Sequence, residues 1–446
     1  MQFRSTRSKL PLVSYKDAVL NCLPADGGLY VPDQAADFRQ FLLQMDEKTS
    51  FNELIAAAAP LLLESGLDSV SASRVAKNAF NFKPELIELD EGFSLLNLYN
   101  GPTGVFKDFS IAFMSAMFEE FIKEGGKRSR TKAPLLVLAA AKPDTGVSMA
   151  HAFGGKEGIS LVLLYPSGQL RGLDPSAFAQ NGGNIIPIQV RGTFDDCQRL
   201  VIEAINDRDF SVPYNVTSAN TMNPGRLLPQ IFYYFYAFIQ LKNRLTGDLI
   251  FSVPSGNFGN LTAGLYAWKF GMPVNGFISA MNANNANNAI GSCIYGEPFI
   301  PKPLVHTNSP ALDVSMPVNY ERLASFYDEA PAVMRNMVYP ASIDDPLTLE
   351  TMEYIYKKYS AYIDPHTAVA VAAARKIADE RKWSGNTYTV VLATGHPARS
   401  PNMAEEATGK AIKVPGSLKK LWKKCEPIAL IPPVLDAFES AIASCF

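Results

Sequence analysis

Six strand-length apolar runs, separated by helical patterns, constrain this chain most. They fall at 135–141 (LLVLAAA), 160–165 (SLVLLY), 185–190 (IIPIQV), 249–253 (LIFSV), 276–281 (GFISAM) and 387–393 (TYTVVLA). A strand facing solvent on one side alternates apolar and polar residues. These runs are apolar on both faces, which suits strands buried on both sides of a parallel sheet. Between them, Leu261, Leu265 and Trp268 share a helical face that Gly271 can cap, and 232–241 is an aromatic-rich helical pattern. Strand and helix in alternation predict an open α/β architecture, and six strands suit one lobe or two. The first 90 residues differ. Helical spacing runs through 46–63 and 69–80, and Gly27–Gly28 marks a turn before a short extended piece at 29–32. The 282–288 stretch (NANNANN) reads as a polar loop.

Bulk properties exclude several classes. The 446 residues include 41 Lys+Arg against 43 Asp+Glu, a balance that gives no electrostatic case for nucleic acid or an anionic membrane. Apolar runs long enough for a membrane span are absent, and the basic start lacks the apolar stretch of a secretory signal. Cys22, Cys197, Cys293, Cys425 and Cys445 are odd in number and scattered, which predicts neither a disulfide framework nor a zinc site. A reducing, cytoplasmic location is the expectation, and no metal is expected.

In open α/β sheets, ligands collect beyond the carboxyl ends of strands. Three runs end there in small polar loops: Lys142-Pro143-Asp144-Thr145-Gly146, Ser255-Gly256-Asn257-Phe258-Gly259-Asn260 and Thr394-Gly395-His396-Pro397. The second can cradle a phosphate, because its glycines admit close backbone approach and a helix start follows. An ordinary strand-to-helix turn would look the same. Lys107 lies among Val105, Phe106, Phe109, Ile111 and Phe113. Most lysines are solvated, but an apolar surround depresses an amine pKa and makes a better nucleophile. Pro224 can open a helix that places Arg226 in its first turn, contrary to the dipole preference. A bound anion or a surface salt bridge would each account for that. Of the four histidines, only His396 sits in one of these motifs.

Taken together, GPTGVFKDF, AAAKPDTG, SANTMNPGRLLPQ, VPSGNFGNLTAGLYA and ATGHPAR resemble, in order, segments of the threonine synthase family, as does the opening STRSK…VSYKDAVL…DGGLYVP. The resemblance covers residues 5 to 407. It implies a fold type II pyridoxal 5'-phosphate (PLP) enzyme, with residues 1–90 as a mostly helical amino-terminal domain. Residues 91–446 would form a PLP-binding catalytic region of two α/β lobes with carboxy-terminal helices. It implies conversion of O-phospho-L-homoserine and water to L-threonine and phosphate, by a monomer or homodimer acting on a small phosphorylated amino acid. Lys107 matches the family's Schiff-base lysine. Ser255, Gly256, Asn257, Phe258, Gly259 and Asn260 match its cofactor-phosphate loop, and Thr394 matches the hydroxyl residue at the pyridine nitrogen. Asp144 and Thr145 match the loop beside the cofactor ring and the substrate carboxylate. Asn220, Thr221 and Arg226 match the segment for the substrate phosphate.

Two segments depart from the family. Its usual Ser-Gly-Asp-Thr-Gly is Lys142-Pro143-Asp144-Thr145-Gly146 here, and 168–175 (GQLRGLDP) replaces a Lys-x-Ser-Pro-x-Gln-Glu pattern. Proline removes a backbone donor, and Lys142 could add a positive charge toward substrate. These changes keep two alternatives open: a PLP-dependent phospho-lyase on another phosphorylated amino acid, and a non-catalytic ligand-binding paralog. The intact Lys107 and glycine loop argue against the second. The carboxy-terminal lysines 419, 420, 423 and 424 read as a solvated helix face before a docking helix.

Overall fold

The computed structural model describes residues 1–7, 9–125, 134–284, 287–383 and 385–446. Ser8 of the amino-terminal motif, and Asn285 and Ala286 of the polar loop, lie outside them. Three short antiparallel strands open the chain: β1 (Gln2–Ser5), β2 (Val13–Ser14) and β3 (Tyr30–Pro32), in the order β2-β1-β3. Gly27 turns the chain toward β3 at φ +74°, a conformation that favours glycine. From there to residue 80 the chain is mainly helical. The helical spacing at 46–63 becomes helix only from Phe51, because Ser50 and Glu53 form a reciprocal capping box there. Phe51 and Phe80 then pack on Phe109 at centroid distances of 5.6 and 5.9 Å. Edge-on ring pairs such as Phe51–Phe109 add about 0.5–1.5 kcal/mol beyond burial. This cluster fixes the start of the helix Lys107–Gly125 against the amino-terminal segment.

Eleven further strands are described: β4 (Glu85–Asp90), β5 (Phe93–Asn97), β6 (Leu135–Ala140), β7 (Ile159–Pro166), β8 (Ile185–Val190), β9 (Val216–Ser218), β10 (Leu249–Pro254), β11 (Gly276–Met281), β12 (Val338–Ser342), β13 (Tyr388–Ala393) and β14 (Ala429–Ile431). They form two sheets, and so two lobes. Lobe one is β14-β8-β7-β6-β9, all parallel. Lobe two is β12-β11-β10-β13-β5-β4, parallel except where β4 meets β5. All six apolar runs are strands, and β6, β10, β11 and β13 are buried along their whole length. Two readings change. Asn287 begins a helix, Asn287–Tyr295, so the polar loop is shorter than its composition suggests. The lysine-rich carboxy-terminal stretch forms two short helical turns. The apolar segment after it supplies edge strand β14, and only then comes the docking helix Leu435–Ala443, which buries Phe438 and Ile442. No helix among the described residues is long and apolar enough to cross a membrane.

Strand order places the site. In lobe two, β5, β13 and β10 are neighbours, so the segments after them run side by side. Phe106 N–H donates to the Thr394 carbonyl at 2.9 Å, and His396 N–H to the Gly104 carbonyl at 2.9 Å. These bonds seat Lys107 beside Thr394. In lobe one, β6 and β9 pair, which brings 142–146 beside 220–226.

Candidate active site

Lys107 stands where two cavities meet. The inner one, about 140 Å³, is lined by Gly256, Asn257, Phe258, Gly259 and Asn260, by Asn220, Thr221 and Arg226, and by Lys142 and Thr145. The outer one, about 150 Å³, is lined by Asp144, Arg399, Asp364, Arg171 and Trp422 among others. Phe106, Lys107, Ala311, His366 and Thr394 line both. Among the residues to which the resemblance gives a role, only Ser255 lines neither.

The lysine is held by its neighbour. Asp108, buried, accepts from Thr103 N–H at 2.9 Å, from Thr103 Oγ1 at 2.6 Å and from Ser148 Oγ at 2.5 Å. The carboxylate thereby fixes the loop that presents Lys107. Burial pulls the Lys107 amine down to about 8; Asp144 opposes this, while Lys142, Arg226 and Arg399 reinforce it. Burial works against charge on Asp144 as well. Arg399 and Lys107 outweigh it, and hold that carboxyl well below the usual range.

The glycine loop fits a phosphate. Phe258 adopts a left-handed φ of +56° as it turns into the helix Gly259–Lys269, whose first N–H groups have no partner within the helix. A Cβ on Gly256 would lie 2.8 Å from Leu312 Cα, so the main chain comes close only because this residue is glycine. Asn260 Oδ1 accepts from the Tyr233 and Tyr234 hydroxyls at 2.6 and 2.9 Å, which turns its amide nitrogen outward from them. That nitrogen and Arg226 Nε are buried without a hydrogen-bond partner. A buried donor left unmatched costs about 1–3 kcal/mol, so both positions favour an anionic ligand. Arg226 is 3% exposed, donates to Ser110 Oγ and makes no carboxylate pair among the described residues. That excludes the surface salt bridge as the reason for its place in the helix Pro224–Leu227. Burial lowers its pKa to about 10, with Tyr233 and Asp108 opposing.

Other predicted groups are engaged by the protein. The Ser255 hydroxyl donates to the Val253 carbonyl at 2.8 Å and its N–H to the Ala280 carbonyl at 2.7 Å. The Asn220 amide bonds both ways to the Ala140 backbone, at 2.9 and 2.8 Å, as an extra rung beyond β6. Thr221 Oγ1 accepts from Asn319 at 2.9 Å. Lys142 Nζ donates to the Pro310 and Asp313 carbonyls at 3.0 and 2.9 Å. Pro143 removes no donor that the helix itself would use. It is the first residue of the helix Pro143–Phe153, where a helix has no partner for an N–H. His396 Nδ1 accepts from Ala398 N–H at 3.0 Å and lines neither cavity.

Sequence reasoning missed His366 and Arg399. His366 lies outside the motifs quoted above; its local signal is Asp364 capping the helix Pro365–Arg381. Arg399 lies inside the ATGHPAR motif, but its pairing with Asp144 crosses from lobe two to lobe one. No group of three or more metal-ligating side chains occurs among the described residues.

A half-buried lysine of lowered basicity, a glycine loop on a helix start and a strand-end hydroxyl, set between two α/β lobes, define a PLP-dependent enzyme of fold type II. The comparisons with known proteins agree and narrow this. Residues 88–395 match the pyridoxal-phosphate dependent enzyme family, residues 2–80 the threonine synthase N terminus and residues 367–442 the threonine synthase C-terminal family. Threonine synthase of Escherichia coli strain K12 is 34% identical over 409 residues, 91% of each chain. That of Schizosaccharomyces pombe is 28% identical over 90% of this chain and 88% of its own length. The crystal structure of threonine synthase from Escherichia coli superposes with a TM-score of 0.85, at 30% identity and full coverage of both chains. PLP-bound threonine synthase from Brucella melitensis gives 0.84 at 26% identity, covering 100% of this chain and 99% of its own. The chain belongs to the threonine synthase family.

Proposed function

We propose that this protein converts O-phospho-L-homoserine and water to L-threonine and phosphate, with Lys107 as the catalytic residue. The observation that carries this reading is the charge of the inner cavity. Lys107, Lys142 and Arg226 line it, and among the described residues no carboxylate does. Such a cavity suits a ligand set with two phosphates, one on the cofactor and one on the substrate.

Gly256, Asn257, Phe258, Gly259 and Asn260 would hold the cofactor phosphate, through backbone N–H groups and the Asn260 amide. Ser255 sets the turn behind them. Thr394 would hold the cofactor's ring nitrogen, and Asp144 would flank its ring. PLP, when bound, supplies an electron sink for charge developing at the substrate Cα. The Lys107 amine, half free of its proton near pH 8, takes and returns protons at the substrate Cα and Cβ. Arg226 receives the phosphate that leaves Cγ, and its unmatched Nε gains a charge-assisted bond as it does so. Thr145, Asn220 and Thr221 shape the wall around the amino acid, with Lys142 at the same wall.

The test is product analysis. O-Phospho-L-homoserine should yield equal amounts of threonine and phosphate, and Lys107→Ala should lose at least ~10³-fold in rate together with the visible absorption of lysine-bound cofactor. Phosphate released with 2-oxobutyrate and no threonine would reject the assignment.

A further inference from the structure

The peptide joining Pro310 to Ala311 is gripped from both sides of the cleft. Its carbonyl accepts from Lys142 Nζ at 3.0 Å, and its N–H donates to His366 Nε2 at 3.1 Å. Lys142 follows β6 in lobe one, whereas His366 lies in the first turn of the helix Pro365–Arg381 in lobe two. Each side chain is prepared for its bond. His366 Nδ1 lies 2.5 Å from the buried Asp364 carboxylate, which keeps the ring proton on Nδ1 and leaves Nε2 as an acceptor. Lys142 has no carboxylate within ion-pair range among the described residues, and a second bond to the Asp313 carbonyl fixes its amine.

The loop around this peptide, 305–316, is otherwise tied to lobe two. The buried Asp313 carboxylate accepts from Asn282, Asn284 and Thr307 at 2.7–2.9 Å. Lobe one reaches the loop through Lys142, apart from a long 3.4 Å bond between Ser315 and Asp195. Ala311 lines both cavities, so the position of its peptide sets the opening above Lys107.

We propose that Lys142 and His366 are paired positioning residues, which clasp the 310–311 peptide between the lobes and fix the wall that faces the substrate. This rests on the reading of the inner cavity as the substrate site only for its kinetic part. The clasp itself is a statement about the loop. A lysine at 142 thus closes the cleft onto a main-chain segment, and its charge need not touch the substrate.

Hydrogen exchange of the cofactor-loaded protein, read by mass spectrometry, tests it. Lys142→Met keeps the apolar stem and removes the donors; His366→Phe removes the acceptor. Each should speed exchange of amides 311–313 by roughly tenfold, the size of one lost hydrogen bond, while the amides of β6 and β10 stay unchanged. Lys142→Arg and His366→Gln, which restore a donor and an acceptor, should return exchange toward the parent rate. In steady-state assays with O-phospho-L-homoserine, KM should rise more than kcat falls. Unchanged exchange at 311–313 in both variants overturns the clasp, whatever the kinetics. Faster exchange with an unaltered KM overturns the claim that this wall faces substrate. If O-phospho-L-homoserine proves not to be a substrate, the exchange measurements still decide the clasp.

Discussion

The inner and outer cavities share Lys107, yet their charges are arranged differently. In the outer one, each carboxylate has a partner: Asp144 with Arg399 and Asp364 with His366. In the inner one, neither Arg226 nor Lys142 forms an ion pair among the described residues, and Arg226 Nε and Asn260 Nδ2 have no acceptor there. Paired charges hold a wall in place, and unpaired buried donors are costly until a ligand meets them. The contrast supports the proposed anion binding in the inner cavity and gives the outer one the part of setting the lobes.

Of the changes that test this contrast, the largest effect should follow from removing the unmatched cation. Arg226→Met, of similar length, deletes charge-assisted bonds of about 1.5–3 kcal/mol, so kcat/KM for O-phospho-L-homoserine should fall about 10- to 100-fold. Steady-state kinetics check this. Unaltered kinetics would remove the phosphate from Arg226 and dissolve the contrast between the cavities.

Next in size is the glycine loop. Gly256→Ala places a Cβ 2.8 Å from Leu312 Cα, a main-chain atom that cannot rotate away. Overpacking of this kind costs about 1–3 kcal/mol. PLP affinity, measured by titration of the cofactor-free protein, should weaken accordingly, roughly tenfold.

The outer cavity should act through proton equilibrium instead. Only an unprotonated amine can attach the cofactor, so the loading rate of cofactor-free protein should rise with pH and level off, with a midpoint near 8. Asp144 raises the Lys107 pKa, because a nearby negative charge favours the ammonium. Asp144→Asn therefore moves the midpoint to lower pH. Lys142→Met, in the inner cavity, removes a positive charge and moves it up. Stopped-flow absorbance across roughly pH 6–10 reads both directions.

The sequence made the inner cavity more legible than the outer one, for a physical reason. The glycine loop, Lys107 and Arg226 each lie in a contiguous motif, because one strand end or one helix start builds each of them. Asp144–Arg399 and His366–Ala311 join residues 255 and 55 positions apart; the first exists only once the two lobes pack together, and the second only once lobe two has folded. His396 shows the opposite error. It stands inside a motif but caps its own turn, while His366, outside these motifs, lines both cavities. The short strands β9, β12 and β14 escaped for a related reason. β9 and β14 have only three residues each, and Pro340 interrupts β12, so no run reaches the length that periodicity needs.

The smallest expected effect separates motif membership from contact. Ser255 belongs to the loop that the resemblance assigns to the cofactor phosphate, yet its hydroxyl is 2.8 Å from the Val253 carbonyl and it lines neither cavity. Losing that bond while leaving one buried carbonyl short of a donor costs about 1 kcal/mol of stability. Ser255→Ala should lower the melting temperature by a few degrees at most and leave PLP affinity and KM unchanged. Should PLP affinity fall as far as in Gly256→Ala, the hydroxyl turns to the phosphate once cofactor binds. The inner cavity would then be completed by its ligand, with a donor it does not present beforehand.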